Sequence, residues 1–389
     1  MFRVSALPGV IAAASLALAG VATPAHAAEP AHPSTVRTAS LETTNNVYAD
    51  LTVATVDTGL TSSSDGATLA KLDSDKSERA AQLTKAVAEQ QPDVLVLTGI
   101  DVDSDGATLD ALKKNYLAKN DDVPDYRYTY APATNAGVDS GADLDGDGTI
   151  GGAGDALGPG DFAGQSSIAV LSTKPIDTNG VRSFTDLAWK DVPGQHLAAS
   201  SFARDVRSDV PLFSTSLWDL PIDVGNDTVH VVATSLSGAT GTHADPVRNA
   251  DQLAFLKSYV DGATDLGNVE DDQGRSGPLS PDTPSVIAGD LGVDAASGGR
   301  AGRTLTSLLN DPSNDAQAPT PTSSAWLATL GRLLQRGSHA TQAQTGQGAA
   351  QLDYVMAPGD SPKATATTAV DAISEPDLTT RLVVSAFKL

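Results

Sequence analysis

Pro92-Asp-Val-Leu-Val-Leu-Thr-Gly-Ile-Asp101 and Ser285-Val-Ile-Ala-Gly-Asp-Leu-Gly-Val-Asp294 decide the fold. Each holds a short, unbroken apolar run that ends in Gly and Asp. Such a run, bounded by turn formers, reads as a strand buried on both faces that runs into a loop. Loops at strand ends commonly carry a protein's chemistry. The residues at the ends of these two runs are therefore the first place to look for function.

Outward from these strands, Leu51 to Val56 and Ser167 to Leu171 read as further apolar strands, and Thr228 to Thr234 as an alternating, β-branched one. Gln351 to Met356 and Leu382 to Ala386 read as closing strands. Ser77 can cap a helix reaching about Glu89, with Ala80, Leu83 and Val87 on one face. Leu109 to Leu117 reads as a second helix, followed by a polar loop with Tyr126, Tyr128 and Tyr130. Asp245-Pro246 opens a third, carrying Leu253, Leu256 and Val260 at helical spacing. Polar loops over 134–165, 262–284 and 311–349 interrupt the pattern, the last two read as partly mobile. Helices between strands, plus antiparallel-looking pairs, predict an α/β sandwich with sheets inside and helices outside.

The termini and the composition bound the class. Residues 1–27 read as a secretion signal: Arg3 is the only charge, Val10 to Val21 is apolar, and Ala25-His-Ala27 fits a cleavage site. That run is too short to span a bilayer, and no later segment reads as transmembrane. Residues 28–48 read as a flexible N-terminal segment and 49–389 as one folded domain. The expected location is extracytoplasmic, secreted or envelope-associated. With no cysteine, thiol nucleophiles, Cys-ligated zinc and disulfides are excluded. The 25 basic and 48 acidic residues leave a net charge of −23, without a Lys/Arg cluster. Such a surface repels phosphate backbones and argues against polymeric nucleic acid as a partner.

Seven pieces in order resemble the endonuclease/exonuclease/phosphatase superfamily of DNase I-like hydrolases. They are Leu51-Thr-Val-Ala-Thr-Val-Asp57, Pro92-Asp-Val-Leu-Val-Leu97, Asp143-Leu-Asp-Gly-Asp-Gly-Thr-Ile-Gly-Gly152, Gly164-Gln-Ser-Ser-Ile-Ala-Val-Leu-Ser172, Trp218-Asp-Leu-Pro221, Val286-Ile-Ala-Gly-Asp290 and Leu352-Asp-Tyr-Val355. The resemblance spans nearly all of residues 50–389 and implies a four-layer α/β/β/α sandwich. It also implies metal-assisted phosphoester hydrolysis, in which a Glu holds the cation, an Asp handles water, and His residues bind phosphate.

Carried over position by position, little of that chemistry survives. The family's first-strand Asn corresponds to Asp57, and its metal-binding Glu to Gly99, with Asp101 two residues on. Two His positions correspond to Leu217 and Leu236. In the Gly-Asp-x-Asn element Asp290 stays and Asn becomes Gly292. Asp353 stays, and the closing Ser-Asp-His-Arg becomes Leu378-Thr379-Thr380-Arg381. Gly and Leu can neither bind a cation nor shuttle a proton. Members of a catalytic set act as a unit, so these losses predict a vestigial pocket with no catalytic residue. The competing reading keeps Asp57, Asp101, Asp290 and Asp353 around one pocket as oxygen ligands for magnesium or manganese in a redirected phosphoesterase. The same Asp residues also suit strand-end caps and turns.

The histidines offer no metal-ligand spacing. His230 reads as structural, His196 follows a turn, His339 lies in a loop, and His243 is a candidate for the pocket rim with Arg248 and Asn249. Asp143-x-Asp145-x-Asp147-Gly148-Thr149-Ile150 fits the first eight positions of an EF-hand-type loop. Asp143, Asp145, Asp147 and the Thr149 carbonyl would hold a structural calcium ion. The twelfth position, normally Glu, is Gly154, with Asp155 next. The resulting expectation is a secreted, catalytically inactive relative of these hydrolases that binds an extracellular or envelope ligand.

Overall fold

The computed structural model describes residues 50–239, 245–309, 342–344, 348–358 and 362–389. The expected signal, the N-terminal segment, His243, His339 and most of the 311–349 loop lie outside the described residues.

Two sheets form the centre. The first runs β10 (Gly348–Ala350), β9 (Gln342–Gln344), β13 (Leu378–Lys388), β1 (Leu51–Leu60), β2 (Val94–Ile100), β4 (Ser167–Ser172) and β3 (Tyr128–Tyr130), with β12 (Lys363–Ser374) also paired to β13. The second runs β11 (Asp353–Met356), β8 (Ser285–Asp290), β7 (Asp227–Ser235), β6 (Leu217–Val224) and β5 (Arg182–Ser183). The parallel pairs β1–β2 and β7–β8 need crossovers. Helices α1 (Ala67–Asp73) and α2 (Glu78–Gln90) make the first, and α4 (Pro246–Val260) the second. The remaining helices are α3 (Ala107–Asn115) and α5 (Gly299–Leu309).

Burial explains the unbroken apolar runs. Leu95 and Leu97 of β2 pack towards α1–α3, while Val94 and Val96 pack against the other sheet. In β8, Ile287 packs towards α4 and α5, and Val286 and Ala288 between the sheets. Strands covered on both faces lose their polar alternation. Three apolar layers separate four structural ones, giving the expected α/β/β/α sandwich. The expected caps are present: Ser77 Oγ accepts from Ala80 N at 3.2 Å, and Asp245 Oδ1 from Arg248 N at 2.9 Å.

Two expectations need correction. The closing strand at Leu382 to Ala386 is present but longer, Leu378–Lys388, and it pairs with β12, which the sequence reading missed. Nor is the 262–284 connection loosely held. Asp271 accepts from Arg182 Nε at 2.8 Å, Arg275 Nε at 2.9 Å and the Gln273 and Arg275 backbone N–H groups. Burial works against its charge, but these donors hold the Asp271 carboxyl below its ordinary range.

Candidate functional site

The strand ends place the positions carried over from the resemblance in two groups. In the first sheet, Asp57 and Thr98 are neighbours across β1 and β2, and both strands bulge just beyond them. Gly99 occupies the bulge at φ +61°, where a Cβ would stand 2.1 Å from Asp57 Oδ1. Asp57 Oδ1 accepts from Gly59 N at 3.0 Å. The backbone is therefore wound so that the aspartate fills the volume a side chain at 99 would need.

In the second sheet, Ser235, Asp290 and Asp353 form one row across β7, β8 and β11. Asp290 Oδ1 accepts from Gly292 N at 2.7 Å. Gly292 sits at φ +66°, and a Cβ there would meet Ser237 O at 2.2 Å and Asn249 Nδ2 at 2.9 Å. The Asn249 carboxamide donates to Ser237 O at 2.6 Å and Leu291 O at 2.9 Å, closing this corner. Arg248 is spent likewise: its buried guanidinium donates to the carbonyls of Leu212, Leu157 and Pro211. Burial pushes that guanidinium down to about 10, against the pull of Asp245. Both residues, expected at a pocket rim, instead hold backbone.

Asp101 is not an available ligand either. It is 5% exposed and accepts from Thr61 Oγ1 at 2.6 Å, Thr68 Oγ1 at 2.5 Å, Ser62 N at 3.0 Å and Ser166 N at 3.0 Å. It pins the loops after β1 and before β4.

Leu217 and Leu236 face away from the space between the sheets. Both pack in the apolar layer with α4 and α5, whereas Trp218 and Ala233 face the first sheet. The pleat makes Ser235, not Leu236, the residue in phase with that inner face. Thr379 and Thr380 pair with β9 and β12, Thr380 is fully buried, and Arg381 pairs with Asp371 at 3.0 Å. His230 is structural, as expected. Its Nδ1 lies 2.7 Å from Asp219 Oδ1, whose other oxygen accepts from Tyr259 Oη at 2.6 Å.

Two of the positions weighed for the hydrolases' divalent cation offer it no free ligand. Gly99 has no side chain to ligate with, and both Asp101 oxygens are taken up by donors. Among the described residues the only group of three acidic side chains with oxygens within 4.8 Å is Asp143, Asp145 and Asp147. That loop is preformed. Asp143 accepts from Gly146 N and Gly148 N, Asp145 from Asp147 N, and Asp147 from Thr149 N. Asp155 is buried beneath it and accepts from Leu144 N at 2.6 Å and Gly151 N at 2.8 Å. Asp143, Asp145 and Asp147 are the carboxylates whose oxygens converge, and that cluster can hold a metal.

Arg79 was not legible in the sequence. It donates to Gly59 O, to Glu375 at 2.8 Å and to Asp377 at 2.5 Å, tying the end of β1 to the β12–β13 turn. No local signal announces partners about three hundred positions away. Burial raises Asp57 to about 6, against the opposing pulls of the Gly59 N–H and Arg79. A carboxyl raised in the folded state stabilises it most below the unfolded value near 3.8, and that contribution is lost as pH rises through about 6. Asp57→Asn, which restores the residue type the resemblance implies, should raise stability by roughly 1–2 kcal/mol at pH 7.5 and by less at pH 4. Urea denaturation at the two pH values checks this. An equal loss at both would contradict it.

Residues 70–373 match the model of the Endonuclease/Exonuclease/phosphatase family. The chain belongs to that family. Similar solved structures include sphingomyelinase C from Streptomyces griseocarneus, with 18% identity, 86% of this chain and 98% of that chain covered, and a TM-score of 0.42. An endonuclease/exonuclease/phosphatase from Beutenbergia cavernae shows 16% identity, 87% and 72% coverage, and a TM-score of 0.43. A Staphylococcus aureus beta toxin mutant with bound magnesium ions shows 15% identity, 87% and 100% coverage, and a TM-score of 0.41. No curated protein matches the sequence.

Proposed function

We propose that this family member is a secreted pseudoenzyme that binds an extracellular or envelope ligand and is stabilised by calcium in the Asp143–Asp147 loop. The observation that carries the non-catalytic reading is the backbone at Gly99 and Gly292. Both lie at positive φ, and a Cβ at either would collide with an oxygen nearer than 2.3 Å. The site has not merely lost two side chains. The Asp57 carboxylate stands where a Cβ at 99 would go, and the Ser237 carbonyl where one at 292 would go. The leader-like residues 1–27 and the acidic charge support export. No helix among the described residues is long and apolar enough to cross a membrane.

Calcium suits the loop because its ligands are hard oxygens on alternate residues, with Gly148 allowing the turn. Calorimetry on the mature chain tests both parts. One calcium equivalent is expected, and Asp145→Ala combined with Asp147→Ala should abolish it. Unchanged binding in that variant would reject the loop. A further magnesium or manganese equivalent lost on Asp290→Ala would favour an active phosphoesterase instead.

A further inference from the structure

Asp251 stands in α4, 2% exposed, yet two of the side chains it holds are on the surface. It accepts from Trp189 Nε1 at 2.7 Å and from His196 N at 2.6 Å. His196 Nδ1 lies 3.2 Å away and Arg300 Nη1 2.6 Å away. An ionised carboxylate only accepts, so the imidazole donates through Nδ1. The His196 and Arg300 side chains remain 53% and 34% exposed. Exposed His and Arg ordinarily sample many rotamers, and ordering them costs side-chain entropy. Here a buried carboxylate fixes both in advance.

They flank a cleft of about 360 Å³ whose walls include Ala199, Val247, Ala250 and Val293. That volume suits a small molecule. Gly298 and Gly299 also line it, and a Cβ on either would meet open space, so among the described residues no side chain closes that end. The first turn of α5 carries no acidic residue, although the chain has 48. Arg300 spends one nitrogen on Asp251 and reaches Val247 O with another at 3.4 Å, which leaves further N–H groups of its five.

We propose that this cleft binds a small aliphatic carboxylate. The head group takes the remaining Arg300 donors beside His196, and the chain lies on Ala199, Val247, Ala250 and Val293. Complementarity carries the choice: a fixed cation stands at the edge of an apolar cavity on an otherwise acidic protein. None of Asp57, Asp290 or Asp353 takes part, so failure here leaves the reading of the vestigial site intact.

Octanoate, titrated into the mature chain by calorimetry and by chemical-shift mapping, is the probe. Saturable binding is expected, with shifts centred on α4 and α5. 1-Octanol should bind about tenfold or more weakly, since it lacks the charge-assisted hydrogen bonds. Ala199→Trp fills the cleft from an exposed position and should abolish binding without changing the melting temperature. Arg300→Gln should weaken it by about tenfold. Equal affinity for 1-octanol would refute charge recognition. Absence of saturable binding, or retained binding in Ala199→Trp, would overturn the site.

Discussion

Gly99→Glu is expected to destabilise the protein by about 3 kcal/mol and to create no turnover. The substitution puts back the residue type that the family resemblance implies. Yet φ at this position is +61°, which costs a non-glycine residue roughly 1–2 kcal/mol. The new Cβ would also stand 2.1 Å from Asp57 Oδ1, so the bulge or the aspartate must move. A second carboxylate would then lie beside one that burial already pushes up to about 6. Urea denaturation at pH 7 measures the loss. A variant as stable as the parent, with metal-dependent hydrolysis, would show that only a side chain was missing.

Asp101→Ala should cost about 3–5 kcal/mol, the range for uncovering several partners of a buried charge. It strands the hydroxyls of Thr61 and Thr68 and the N–H groups of Ser62 and Ser166. Asp101→Asn keeps one acceptor oxygen and should lose less. Hydrogen exchange should rise at Ser62 and Ser166 in the Ala variant. A cost under about 1 kcal/mol would contradict a structural role and return Asp101 to the list of free carboxylates.

The family assignment and the layers were legible because they rest on local signals. β2 and β8 are covered on both faces, so each shows as an apolar run ending in Gly and Asp. The Asp143 loop was legible for the same reason: its carboxylates converge through spacing alone. β12 was not, because Lys363-Ala-Thr-Ala-Thr-Thr-Ala alternates residues of little hydrophobic contrast. α5 was hidden by Gly299 and Gly302 within a short helix.

The site was legible in outline and not in phase. Gly99 stands out in sequence, but its φ and its quarrel with Asp57 are properties of the bulge. Leu217 and Leu236 lie on the α4 and α5 side of their sheet, and the sequence alone did not show which face each takes. Asp101 looked like a free ligand because its four donors come from two loops and α1, brought together only by the fold. The Asp251 network joins residues 189, 196, 251 and 300, which no spacing rule connects.

On the proposed reading, the strand ends no longer support phosphoester hydrolysis. The most direct test of that reading is turnover by the purified mature chain on a generic phosphodiester, a phosphomonoester and DNA, with magnesium, manganese or calcium. No rate above the metal-containing buffer is expected, and no difference between the parent and Asp290→Ala. Turnover that disappears in Asp290→Ala would contradict it.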